Sequence, residues 1–307
     1  MVINPGINKV DKTILQAITV ILITTILIYL EHINLAFDKI FLLNMLLLSY
    51  PHTIAGFIRD DVIKKEKLRI PFLFLIFTIT LSTLYKYTDL TVLYNIYFYY
   101  QLYHYHGQNY GVMNSAQTDN GTRGLFRFLL YLSTLSNLLL VSQNTRFHFF
   151  GRSIYFPVDP ILLENHYLMI SVILSTIFII LIFFIRSKNR LGKDLSKSLV
   201  IHHLVFAAAF HWINNPIIGW LSLNILHNLQ YLCFNWSYRS KRKMKFASHP
   251  VAFHALLILL SIVVISLLKL SAQKLPYILP WAFILGLSLN FTHYHLDSII
   301  WKRSYPN

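Results

Sequence analysis

Long, mostly apolar stretches recur from one end of the chain to the other, and nothing else restricts its fold as much. A bilayer core about 30 Å thick asks for roughly 20 such residues at 1.5 Å rise each. Segments that meet this test lie near 13–31, 39–58, 70–87, 90–113, 124–143, 166–186, 197–214, 216–237, 250–269 and 276–300. The seventh and eighth are joined by a short turn, Asn214-Asn215-Pro216. The expected fold is therefore all-α: a polytopic transmembrane helix bundle of about ten spans, formed by residues 1–307 as one integral membrane domain. Only 13% of residues are charged, too few to cover the surface of a soluble domain of 307 residues.

The charges that remain are ordered. With ten spans and a cytoplasmic N-terminus, 21 of the 27 Lys and Arg fall in the N-terminal segment, in every second loop and after Trp301. The other 6 are Lys39, Lys86, Arg146, Arg152, Lys269 and Lys274. This alternation is what the positive-inside rule demands, and it places both termini in the cytoplasm. The formal charge of +15 is thus explained by topology, and no nucleic-acid partner is expected. The partners expected are the lipid bilayer and an apolar small molecule, in the inner or plasma membrane if the source is bacterial. The first span is read as a helix and not as a signal peptide, because its apolar run is long and no small-residue cleavage site follows. Residues 144–165, with Phe147, Phe149, Phe150, Tyr155 and Phe156, are expected as an aromatic outer loop at headgroup depth. The single cysteine, Cys233, excludes an internal disulfide.

Fourteen histidines stand in this apolar background. On the topology above, His52, His104, His106, His227, His293 and His295 lie at a similar depth, on four different spans. His202, His203 and His254 begin two further spans near that level. Polar groups inside a bilayer cost a few kcal/mol each unless they face a partner or a cavity, so they turn inward. Inward and at one depth, they can meet. Neutral imidazole is a common ligand of zinc, copper and non-haem iron. His52, His104, His106, His227, His293 and His295 are therefore candidate metal ligands. In each His-x-His pair the rings diverge by about 200°, which favours one ligand per pair. Gln108, Gln230 and Asp297 sit three or four residues from His104, His227 and His293, on the same helix faces. With His203 they are candidates to orient the ligating rings. His32, His148 and His166 fall at the opposite side as interfacial residues, and His249 falls in a loop. The ring-rich run of Tyr94, Tyr97, Phe98, Tyr99, Tyr100 and Tyr103 reads first as packing, though an apolar substrate would want such walls.

The order of these motifs resembles a known family. Pro51-His52 comes on an early helix, then His104-Tyr105-His106-Gly107, then His227 through Phe234, and finally Thr292-His293 through Asp297. The pattern is similar to the Brp/Blh-type membrane dioxygenases that cleave β-carotene to retinal. That resemblance implies histidine-ligated non-haem Fe(II), with zinc or copper as alternatives, and a carotenoid or other polyene as substrate. It is carried by these short motifs across most of the chain. Membrane desaturases, by contrast, use several His-x-x-His-His boxes, and only His202-His203 echoes one.

Two functional classes follow. The first is a membrane oxygenase with the metal held by histidines and a lipid-soluble substrate. The alternative is a transporter of a metal ion or a proton-coupled solute, with the histidines as its path. Transporters often carry inverted repeats and broken helices at midplane. No repeat is visible here, and the histidines gather at one side of the bilayer, which favours the oxygenase.

Overall fold

The computed structural model describes residues 37–58, 68–114, 123–142, 147–149, 152–154, 164–188, 193–211, 216–241, 250–274 and 279–303. The first expected span, the expected loop at 59–67 and Asn214-Asn215 lie outside the described residues. From the second expected span onward, a helix stands at each position. These are α1 (Phe37–Asn44), a π-helical turn (Met45–Ser49), α2 (Tyr50–Phe57), α3 (Arg69–Tyr87), α4 (Leu90–Asn114), α5 (Arg123–Ser142), α6 (Glu164–Ser187), α7 (Lys193–His211), α8 (Pro216–Lys241), α9 (Pro250–Lys274) and α10 (Leu279–Arg303). One short antiparallel hairpin, β1 (Phe147–Phe149) with β2 (Arg152–Ile154), interrupts the expected outer loop, with Phe147 opposite Ile154.

Among the described residues, two helices are long and apolar enough to cross a membrane, Arg69–Tyr87 and Met169–Arg186. Among the others, α4, α8 and α10 carry Asn, Gln, His and Tyr at intervals along their length. Those polar residues are the buried ones, including Asn95, Gln101, His104, His106, His227, Asn228 and His293. Large apolar side chains face outward instead, among them Phe72, Leu75 and Ile79 on α3, Phe183 and Phe184 on α6, and Leu259 and Val263 on α9. A soluble helix shows the opposite polarity.

The chain forms two compact units, Ala36–Tyr100 with His227–Asn307, and a second containing Gln101–Leu226. In the first, α10 packs along α3 and α2, and α9 packs on α2 and α10. Its apolar core is Leu81, Leu93, Ile284, Leu287, Phe291 and Tyr294. Much of the ring-rich run of α4 joins this packing: Tyr94 stacks on Phe283 at 4.3 Å, and Tyr100 meets Phe291 edge-on at 5.1 Å. In the second unit, α5, α6 and α7 pack together around Leu129, Phe178, Ile182, Ile185 and Leu199. Serines tie α5 to α6: Ser136 Oγ donates to the Ser171 carbonyl at 3.0 Å, and Ser171 Oγ returns a bond to the Ser136 carbonyl at 2.8 Å. Small hydroxyl residues at helix contacts let the two backbones approach closely. Gly219 of α8 serves the same end, since a Cβ there would collide with the Ala209 carbonyl of α7.

The π-helical turn before α2 has a local cause. Pro51 has no N–H to offer the preceding turn, and at this point the Tyr50 N–H bonds the Met45 carbonyl five residues back. Side chains then brace the widened turn. Ser49 Oγ accepts from Asn44 Nδ2 at 3.3 Å and from Asn228 Nδ2 of α8 at 2.9 Å. Thr53 Oγ1 donates to the Ser49 carbonyl at 3.1 Å. Asn228 follows His227 directly, and Ser49 precedes His52 by three residues, so this brace sets the approach of two histidine-bearing segments.

Candidate metal centre

His52 projects from α2 and is buried, and His293 projects from α10 and is wholly buried. Their Nε2 atoms stand 2.7 Å apart, with the rings nearly perpendicular. Asp297 lies one turn after His293 on α10, and its Oδ2 is 3.5 Å from His293 Nε2. One ligand atom from each of His52, His293 and Asp297 lies within 4.8 Å of the others. Within this unit the donors are two imidazoles and one carboxylate, side chains that could hold a divalent metal ion.

The separations fit a bound ion. Metal–imidazole bonds of about 2.0–2.1 Å put adjacent ligand atoms about 3 Å apart around one ion, and about 3.4 Å apart in tetrahedral geometry. The 2.7 Å and 3.5 Å observed lie close to those separations. A divalent cation would also balance the charge of a carboxylate that is 1% exposed, which apolar surroundings otherwise penalise.

Two side chains of α8 close one side. His227 meets the His52 ring edge-on with centroids 4.8 Å apart, and Tyr231, one turn later, meets it at 4.2 Å. Tyr231 is fully buried. Gly56, one turn after His52, forms the floor beneath His293.

His52, His227 and His293 come together within one unit, with Asp297 among the ligand atoms where an orienting role was expected. His295 is only partly buried, so of the pair on α10 it is His293 that faces His52. Gln230 of α8 is buried in the same unit. His104, His106, Gln108 and His203 are buried in the unit that contains Gln101–Leu226. There His106 Nδ1 pairs with His202 Nε2 at 2.8 Å, and Phe206 covers both rings at centroid distances of 4.2 and 4.5 Å. His203 Nδ1 meets Ser133 Oγ at 2.9 Å and its ring packs on Phe178, so its neighbours are α5 and α6.

Sequence reasoning placed His202 near the depth of the other histidines without nominating it, and passed over Tyr231 and Gly56 as site residues. The signal for the latter two was available in the helical offset: Tyr231 is four residues after His227, and Gly56 four after His52, so each shares a face with a nominated histidine. Nothing in the sequence marks His202 as the partner of His106. No protein-family model, curated protein or solved structure matches the chain.

Proposed function

We propose that this chain is a multi-pass membrane metalloenzyme that oxygenates a lipid-soluble substrate, with a non-haem iron held by His52, His293 and Asp297. The observation that carries the reading is the buried two-histidine, one-carboxylate group, with its ligand atoms within 4.8 Å of one another. The full bundle of about ten spans, with both termini cytoplasmic, belongs to the same proposal. It is supported by the alternating basic loops and by the outward apolar faces of α3, α6 and α9.

The residues have distinct parts. His52 and His293 offer neutral Nε2 lone pairs, and Asp297 supplies the anionic oxygen that matches the ion's charge. His227 and Tyr231 wall the site and hold the His52 ring edge-on. Burial of all five side chains excludes bulk water, which strengthens every electrostatic contact in the site. Bound iron would supply oxygen activation at positions the protein donors leave open. A long apolar molecule, a carotenoid or another polyene, is the substrate class proposed, since it partitions into the bilayer that the outward faces suit.

The test is anaerobic Fe(II) titration of detergent-purified protein, followed by oxygen uptake with a polyene in mixed micelles. The reading expects about one iron per chain and oxygen uptake that needs both iron and polyene, each lost in His52→Ala. Iron binding by wild type and His52→Ala alike, or uptake that ignores the polyene, would reject it.

A further inference from the structure

Gly56 is buried in α2, one helical turn after His52. The His293 ring spans that turn. Its Nε2 faces His52, and its Nδ1–Cε1 edge rests on Gly56. A Cβ at position 56 would stand 2.7 Å from His293 Nδ1, 3.0 Å from Cε1 and 3.1 Å from Tyr231 Oη. Non-bonded carbon and nitrogen do not approach that closely, so something would have to shift. The ring has little room to do so. It is 0% exposed, His52 Nε2 stands 2.7 Å from its Nε2, and Asp297 and Tyr231 stand beside it.

Nothing in the backbone calls for glycine here, because residue 56 continues a regular helix. Glycine within a helix is worse than alanine by about 1 kcal/mol. The chain thus carries a poor helix former at a buried position where the lack of a side chain makes space for one imidazole. We propose that Gly56 is a positioning residue of the metal centre: its bare Cα seats His293 so that Nε2 points at His52 and Asp297. This rests on the metal reading above.

Co(II) is the probe, because its visible spectrum reports ligand geometry as well as occupancy. Wild type, Gly56→Ala, His293→Ala and the double variant are compared in detergent by Co(II) titration, circular dichroism and gel filtration. Gly56→Ala should stay helical, bind Co(II) about 10–100-fold more weakly, the range seen when groups that orient a ligand are lost, and show an altered visible spectrum. On the His293→Ala background the same change should cost less than about twofold, since two changes that act through one ring are not additive. Should Gly56→Ala fail to fold, the double variant must fold, because removing the ring removes the 2.7 Å contact and leaves only the ordinary adjustment of Tyr231 Oη.

The inference is overturned if Gly56→Ala binds Co(II) with the wild-type affinity and spectrum. It is overturned equally if the penalty persists at full size without His293, or if the double variant also fails to fold. Wild type that takes up no Co(II) would instead bring down the metal reading itself, and this inference with it.

Discussion

His293→Ala and His295→Ala make the sharpest contrast the site offers. The two residues are two apart on α10, so they share helix propensity, depth and neighbouring sequence. Only His293 is fully buried, with its Nε2 2.7 Å from His52 and 3.5 Å from Asp297. Losing a group that merely orients a ligand costs 10–100-fold in metal affinity, so losing a ligand must exceed the upper end of that range. More than 100-fold corresponds to more than about 2.7 kcal/mol of binding free energy. His293→Ala should therefore weaken Fe(II) or Co(II) binding by more than 100-fold, read by competition with a chelator under anaerobic conditions. His295→Ala should change it by less than tenfold. Circular dichroism controls for helix content. Equal losses in the two variants, or a larger loss in His295→Ala, would refute the assignment of His293 as the inward ring.

Asn228→Ala removes the donor that braces Ser49 at 2.9 Å, a bond expected to contribute about 0.6 kcal/mol in a membrane helix pair. Thermal unfolding in detergent should fall slightly, and metal affinity should fall with it because the brace sets the approach of α2 to α8. Gly219→Ala should lower thermal stability despite the better helix propensity of alanine, since its Cβ would meet the Ala209 carbonyl. A rise in stability would contradict that close approach. On a Cys233→Ser background, Lys64→Cys should react with a membrane-impermeant maleimide only from the cytoplasmic side, and Ser153→Cys only from the outer side. Labelling of both from one side would contradict the proposed topology.

The helix positions were legible because each lies within a long, mostly apolar run, and that signal survives the loss of all other information. The sequence also located the histidine-bearing segments that meet, His52, His227 and His293, since a buried imidazole in an apolar helix must turn inward. The direction of each ring was less accessible. Asp297 read as a group behind His293 because the two share a face at i, i+4, but the same offset lets its carboxylate stand beside His293 Nε2, among the candidate ligands. His106 read as a candidate ligand, and its pairing with His202 depends on tertiary contact between residues 96 apart, which periodicity cannot encode. The hairpin at Phe147–Ile154 was missed because two three-residue strands give too short a pattern to detect. Gly56 was passed over for a different reason: its contribution is the space it leaves.

The account rests on His52, His293 and Asp297 meeting around a single ion. X-ray absorption at the metal edge of purified, iron-loaded protein tests that directly. It should show nitrogen and oxygen ligands at about 2.0–2.2 Å with outer-shell scattering from two imidazole rings, reduced to one in His293→Ala. A spectrum of oxygen ligands alone, without imidazole scattering, or one that His293→Ala leaves unchanged, would contradict it.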